Sequence, residues 1–416
     1  MTSETPSEAY VWVWLPGTSQ PTVAGRLEAA GRLIDFNYGQ SYLRRDDAIP
    51  LYAPELPLLP GRIPPLPGLS IAGCIADGSP DAWGQQVIMQ RLLGAGERDL
   101  DPAALDPLSY LLISGSDRIG ALDFQASATE YVSRYDGQAP LHEMMRAAEL
   151  VEQGIALSPA LDLALMHGSS VGGARPKALL RDGERSLIAK FSSARDPYPV
   201  VKGEFAAMEL ARRAGLRVAP VEIVSVMGKD VLLVERFDRP AGTGERRAVV
   251  SALTILGLDP MLGRHASYAE LSHVVRGRFV DPARTLRELF ARITFNILVG
   301  NTDDHARNHA AFWDGENLAL TPAYDICPQR RSGGEASQAM IIGSDGYRMS
   351  QVIGCVRAAF TYGLSEAEAR HLASAQIDVV ASEWSDVCEL ARMTEVDRSY
   401  FWRRQFLNPY ATEGFA

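Results

Sequence analysis

Asp303 is followed five residues later by Asn308, and Asp325 lies seventeen residues further on. The first two stand in Gly300-Asn-Thr-Asp-Asp-His-Ala-Arg-Asn-His309, and the third ends Thr321-Pro-Ala-Tyr-Asp325. Residues of these types can do phosphoryl-transfer chemistry. A carboxylate beside an acceptor hydroxyl orients it and takes its proton. An Asn carbonyl and a second Asp carboxylate are hard oxygen ligands, suited to Mg²⁺ on ATP phosphates. Asp, Asn at plus five, then a hairpin and a second Asp is the order such sites use. The same residue types also fill plain surface turns. Two features favour the chemical reading: the stretch leaves the end of an apolar helix, and the second Asp follows at hairpin distance. Asp304, directly after the base, could accept Mg²⁺ or raise the pKa of Asp303 by like-charge repulsion. Alternation along an extended loop favours turning it to solvent.

These residues need rigid elements to hold them. Leu286, Leu289, Phe290, Ile293 and Ile297 recur at helical spacing, so Pro282 to Val299 reads as the helix that delivers the loop. Asp314-Gly315 marks a turn between two short apolar runs. Beyond Asp325, residues 332–346 are rich in Gly and Ser and suit an activation segment or an acceptor-binding loop. Ser365-Glu-Ala-Glu368 is a capping box that opens another helix, and residues 382–393 and 397–406 read as the last helices.

Upstream, His167-Gly-Ser-Ser-Val-Gly-Gly-Ala-Arg-Pro-Lys177 is small and polar, and it runs into an apolar strand. Gly172 and Gly173 would let backbone N–H groups approach phosphate oxygens closely. The pattern is not a Walker A loop. Asp182-Gly183 signals a type I′ hairpin, with the returning strand carrying Lys190 between Ala189 and Phe191. A helix over 201–214 carries Glu204 near its start, and Gly215 closes it. Two strands then turn around Gly228-Lys229-Asp230, and the second ends in Glu235-Arg-Phe-Asp-Arg239. Gly-rich loop, strand Lys, helix Glu, two strands and a linker is the order of a kinase N-lobe. Nearer the N-terminus, 10–15, 26–27 and 33–38 read as strands, 81–93 and 141–153 as helices, and 118–124 as a strand. Seven prolines between Pro50 and Pro67 mark a loop packed over the sheet or a linker.

The chain has 416 residues, enough for two or three domains. The divisions expected are 1–110, a β-rich N-terminal subdomain; 111–244, a mixed α/β N-lobe with Gly-rich loop and hinge; and 245–416, a helical C-lobe with the catalytic loop. The fold class expected is α+β, protein-kinase-like and two-lobed. Forty-one basic against 51 acidic residues give a net charge of −10, against the usual basic excess of a stand-alone nucleic-acid binder. Cys74, Cys327, Cys355 and Cys388 are far apart and form no Cys-x-x-Cys, which fits a reducing compartment. No stretch reaches the roughly 18 apolar residues of a membrane span, and no signal-peptide pattern is present, so a cytoplasmic protein without membrane attachment is expected.

Together these stretches resemble the HipA family of bacterial serine/threonine kinases, the toxin halves of HipA–HipB toxin–antitoxin pairs. The likeness rests on Ser-x-x-Gly-x-x-x-Lys over Ser170 to Lys177, the strand lysine Lys190 and Glu-Arg-Phe-Asp-Arg over 235–239. It extends to Gly-Asn-Thr-Asp-x-His-x-x-Asn over 300–308 and Pro-x-Tyr-Asp over 322–325. The resemblance implies Asp303 as catalytic base and Asn308 and Asp325 as Mg²⁺ ligands. It implies ATP contacts from Val171, Gly172, Gly173, Ala174, Lys177, Lys190, Glu235, Phe237, His305 and Tyr324, besides Asn308 and Asp325. Glu204 would pair with Lys190. Ser170, or adjacent Ser169, would be the autophosphorylation site that shuts the kinase down. The implied acceptor is an aminoacyl-tRNA synthetase, glutamyl-tRNA synthetase first. The implied partner is a HipB-like helix-turn-helix antitoxin, through which alone operator DNA would be reached. Arg175-Pro176 departs from a common Gln-Glu form and removes a backbone donor. A catalytically silent co-repressor, or a kinase of lipid or small-molecule acceptors, remains open.

Overall fold

The structure, a computed structural model, describes residues 5–93, 101, 105–134, 139–173, 175–193, 196–331 and 333–415. Ala174, expected to contact ATP, lies outside the described residues. Among the described residues, three sheets, of five, four and three strands, and a run of helices from Val352 onward make up an α+β chain. The chain divides into two compact units. One comprises Met1–Arg195, Val224–Val250 and Trp313–Glu316, and the other comprises Asp196–Ile223, Ser251–Phe312 and Asn317–Ala416.

In the first unit, β1 (Glu8–Val13), β2 (Thr22–Ala30), β3 (Leu33–Tyr38), β4 (Arg62–Ile63) and β5 (Leu122–Gln125) form an antiparallel sheet in the order β4-β3-β2-β1-β5. Strand β5 starts four residues later than residue types suggested. Arg118 instead sits in a loop, fully buried, with its guanidinium on Asp123 at 2.9 Å. The proline-rich stretch packs down on the sheet: Tyr38 donates to the Leu56 carbonyl at 2.7 Å and accepts from the Leu51 N–H at 2.9 Å.

A second sheet pairs β6 (Lys177–Asp182) with β7 (Arg185–Phe191), and β7 with β9 (Lys229–Glu235). One face of β7 and β9, through Leu187, Ala189, Phe191, Val231 and Leu233, joins a core with the helices Ala82–Leu93 and Leu141–Gln153. The β6–β7 turn differs from expectation. Asp182 is paired with Arg185, so Gly183-Glu184 are the central residues, and only Gly183 has positive φ, at 59°. That is the II′ pattern rather than I′. The I′ signature falls instead between β8 (Val221–Val226) and β9, where Met227 and Gly228 have φ of 49° and 78°. Among the helices that escaped the sequence reading are Pro107–Ile113 and Pro159–His167. Asp106 and Ser158 cap them, each followed by Pro at the first turn, a start signal easily read as a break.

In the second unit, the helix Val200–Arg213 ends where Gly215, at φ 83°, lets Leu216 N–H reach the Ala211 carbonyl at 3.0 Å. The helix Pro282–Leu298 starts at the Asp281 cap, which accepts from Arg284 N–H. The Ser365–Glu368 capping box opens a 25-residue helix, Glu366–Leu390. Residues 382–390, expected as a separate helix, are its second half. Thr394 and Asp397 form another capping box for Glu395–Phe401. No described helix is long and apolar enough to cross a membrane. All four cysteines are buried and none is disulfide-bonded.

Candidate active site

The second unit holds Asp303, Asn308 and Asp325. The helix Pro282–Leu298 gives way at Gly300, whose φ is 73° and whose missing side chain is required twice over. A Cβ there would lie 2.9 Å from the Gln405 carbonyl oxygen. The loop is then fastened residue by residue. Gln329 N–H donates to the Gly300 carbonyl at 2.9 Å, Gln338 Nε2 to the Asn301 carbonyl at 2.9 Å, and Ala339 N–H to the Thr302 carbonyl at 3.1 Å. Through Gln338 and Ala339 the Gly- and Ser-rich segment thus lies against the loop that carries Asp303.

The Asp303 side chain is exposed, while its carbonyl accepts from His305 N–H at 2.9 Å and from Asn308 Nδ2 at 3.2 Å. A single 3₁₀ turn, Ala306–Asn308, makes this return possible. The surrounding protein lifts the Asp303 carboxyl above its ordinary range; His305 pulls it back, and Asp325 and Asp304 push it up. An ionised Asp303 thus stands in the field of Asp325 and Asp304, a repulsion that a divalent ion bound nearby would relieve.

Asp325 is held from the other side. Ala323 exchanges backbone hydrogen bonds with Arg217 and Ala219 at 2.8 Å each, and the Tyr324 hydroxyl donates to the Arg307 carbonyl at 2.6 Å. Asp325 itself has φ of 58°, a left-handed conformation uncommon outside Gly, Asn and Asp.

Asp304 does not face solvent. It is 1% exposed, because the loop turns here rather than running extended. One of its oxygens meets His309 Nε2 at 2.8 Å and the other accepts from the Tyr268 hydroxyl. Tyr268 comes from the helix Tyr268–Arg278, 36 residues upstream, and its hydroxyl is 2.9 Å from the same imidazole nitrogen. Glu204 is buried on the helix Val200–Arg213.

The first unit holds the Gly-rich loop. A 3₁₀ turn, Gly168–Ser170, follows the helix Pro159–His167. It is clasped by close backbone approaches: a Cβ at Gly84 would meet the Ser169 carbonyl at 1.9 Å, and one at Gly115 the His167 carbonyl at 2.8 Å. Ser169 is buried, donating to the Met166 carbonyl at 2.7 Å and accepting from Gly115 N–H at 3.2 Å. Ser170 is 2% exposed, and its hydroxyl has no hydrogen-bond partner among the described residues. Val171 is buried. Gly173, at φ 114°, gives its N–H to the Asp81 carboxylate. That amide therefore carries a protein carboxylate where the sequence suggested an approach to phosphate. Lys177 Nζ donates to the Gly172 carbonyl. Lys177 and Lys190 stand opposite each other in the β6–β7 register, so both side chains leave the face turned away from the apolar core.

Glu235 closes β9 opposite Leu187, and Phe237 is half-buried just beyond it. The arginines of this motif do structural work the residue types alone did not reveal. Arg236 binds Asp117 at 2.9 Å and Asp238 at 2.8 Å; Arg239 binds both at 2.9 Å. Asp238 also accepts from Gly120 N–H at 2.7 Å. Burial alone would raise the Asp117 carboxyl, but Arg236 and Arg239 reverse this and hold it well below the usual carboxylate range.

The chain is similar to several known proteins. The family described as the HipA-like C-terminal domain matches residues 169–384. Y4mE of Sinorhizobium fredii, named as a candidate kinase, is 29% identical over 319 residues, covering 70% of this chain and 71% of that protein. The serine/threonine-protein kinase toxin HipA of Shewanella oneidensis is 28% identical over 145 residues, 30% of this chain and 34% of that protein. The solved complex of Shewanella oneidensis HipA, HipB and its operator DNA contains a chain with a TM-score of 0.68 and 19% identity, covering 95% of both chains. That likeness bears out the α+β, kinase-like fold expected from the order of motifs. The chain belongs to the HipA kinase family.

Proposed function

We propose that this chain transfers the γ-phosphate of ATP to a serine or threonine hydroxyl of a protein acceptor. The observation that carries this reading is the loop from Gly300 to Asn308, which returns Asn308 to the Asp303 backbone while leaving the Asp303 carboxylate exposed. In the reaction, the acceptor oxygen bonds to the γ-phosphorus, the bond to the bridging oxygen breaks, and ADP leaves. The acceptor proton passes to an Asp303 carboxylate oxygen, whose raised pKa suits a proton acceptor. Lys190 and Lys177 neutralise phosphate charge, and the loop at 171–173 bears on the phosphates. The backbones of Glu235 and Phe237 meet the adenine. His305 and Tyr324 line the nucleotide.

Asn308 and Asp325 would hold Mg²⁺, and their donor set fits the ion. Both offer oxygen, the ligand atom that Mg²⁺ takes. Mg²⁺ favours such sparse protein ligation, completed by phosphate and water. Bound there, it would neutralise phosphate charge as the transfer proceeds.

An aminoacyl-tRNA synthetase, glutamyl-tRNA synthetase first, is the acceptor class supported by family likeness, and Ser170 the proposed site of self-modification. The HipA–HipB–operator complex supports a HipB-like antitoxin as partner, with DNA reached through it. Incubating purified protein and its Asp303→Asn variant with Mg–ATP, with and without synthetase, tests the reading. Phosphate appearing on protein with wild type alone is expected. Equal transfer by the variant would remove the base. No transfer by either, with antitoxin and operator still bound, would favour a catalytically silent co-repressor.

A further inference from the structure

Arg331 stands six residues beyond Asp325. Its Nε, Nη1 and Nη2 are all sealed from solvent, and none has a hydrogen-bond partner among the described residues. A guanidinium has five N–H donors and keeps its proton in proteins. Other sealed arginines of this chain are answered by carboxylates: Arg118 by Asp123, Arg292 by Glu288, Arg236 by Asp117 and Asp238. Arg331 has no such answer. Burial pushes it below the usual arginine range, and the group opposing that is the Tyr410 phenol.

The chain around Arg331 is held firmly on one side and open on the other. Before it, Tyr198 donates to the Pro328 carbonyl at 2.9 Å, and Gln329 N–H to the Gly300 carbonyl at 2.9 Å. After it, an added Cβ at Gly333 or Gly334 would meet nothing within 4 Å. The guanidinium therefore follows a segment tied down at Pro328 and Gln329, close to a glycine pair that puts no bulk in the way of an incoming group.

We propose that Arg331 anchors an anion site that takes a phosphate group, either inorganic or carried as a monoester on a side chain. An unpaired charge in a sealed position is strongly disfavoured, and an entering oxyanion removes that penalty. The planar fork matches two oxygens at once. Phosphate presents such a pair of oxygens and carries more negative charge than a carboxylate to offset the guanidinium. Arg331 is not among the residues assigned to the nucleotide, and the inference does not depend on phosphoryl transfer.

The test compares thermal melting of the full chain, Arg331→Met and Arg331→Gln, in phosphate and in chloride at equal ionic strength. Phosphorus NMR titrations with inorganic phosphate and with O-phosphoserine run in parallel. At ten times the dissociation constant, phosphate should raise the wild-type midpoint by roughly 2 °C more than that of either variant. In phosphate-free buffer Arg331→Met should melt at or above wild type. Tighter binding of O-phosphoserine would assign the site to a phosphorylated side chain; tighter binding of inorganic phosphate would assign it to the free ion. Equal phosphate responses in all three proteins would overturn the site. So would both variants melting well below wild type without phosphate, since the arginine would then have a structural partner.

Discussion

Asp304 and His309 share a hydrogen bond of 2.8 Å, and Tyr268 closes it into a buried triangle. Because Tyr268 gives its one proton to Asp304, His309 Nε2 is the donor to both oxygens around it. His309 Nδ1 is left buried without a partner. The residue next to the proposed base is thereby locked into the core, which fixes where Asp303 can point. Asp304→Ala should cost about 3 kcal/mol, since it strands two buried polar groups. Tyr268→Phe should cost about 1–2 kcal/mol. Urea unfolding measures both. If the triangle also positions the loop, kcat falls in Tyr268→Phe while the KM for ATP changes little.

Asp303→Asn should abolish phosphoryl transfer and yet not weaken the fold. A carboxyl whose folded pKa lies above its unfolded one favours folding below the ordinary value of 3.8, and loses that contribution as pH rises through the folded value. At neutral pH the ionised group therefore opposes folding. In metal-free buffer the variant should melt at or above wild type at pH 7, with the gap closing as pH falls toward 3.8. A variant that melts lower at pH 7 would contradict this sign.

Asp325 separates two effects that one substitution would mix. Asp325→Asn keeps a side chain that tolerates φ of 58°, whereas Asp325→Ala adds a left-handed penalty of about 1 kcal/mol. Both should lose Mg²⁺-dependent ATP binding in calorimetry, and only the alanine variant should also melt lower. Equal melting of the two would show that the backbone here relaxes freely.

Lys190→Ala should weaken ATP binding without lowering the melting point, because its side chain leaves the face of β7 opposite the apolar core. Calorimetry with Mg–ATP beside a melting curve decides between a phosphate contact and a structural lysine.

Asp117→Asn should cost about 3 kcal/mol at neutral pH by leaving Arg236 and Arg239 short of a carboxylate. The Asp117 pKa is depressed on folding, so its contribution is present above the unfolded value of 3.8 and lost as pH falls through the folded one. The stability gap between wild type and variant should hold to about pH 4 and shrink only below it, in urea titrations across that range.

The parts legible in the sequence were those written in contiguous residues. The helix Pro282–Leu298 shows its apolar stripe, Ser365 and Glu368 show their capping box, and the hairpin after Asn308 shows its Asp314-Gly315 turn. What depended on distant partners was not legible. Asp304 was expected in solvent because its partner, Tyr268, arrives from another helix. Arg236 and Arg239 looked like hinge residues until Asp117, over a hundred positions away, supplied their counter-charge. The Arg118 strand expectation failed for the same reason: a buried ion pair with Asp123 suits a loop as well as a strand. The helices Pro107–Ile113 and Pro159–His167 were hidden by prolines that begin helices as readily as they end them.

The turn Gly168–Ser170 buries the Ser170 hydroxyl, which finds no hydrogen-bond partner among the described residues. A phosphoserine carries roughly −1.5 to −2 charge and three oxygens that demand hydration or cations. Should Ser170 ever accept a phosphate, the turn could not close over it again. The segment would behave as a ratchet: one opening, once marked, becomes permanent until another enzyme removes the mark. A population of such molecules would then keep a chemical tally of how many had opened, rather than a reading of how many are open now.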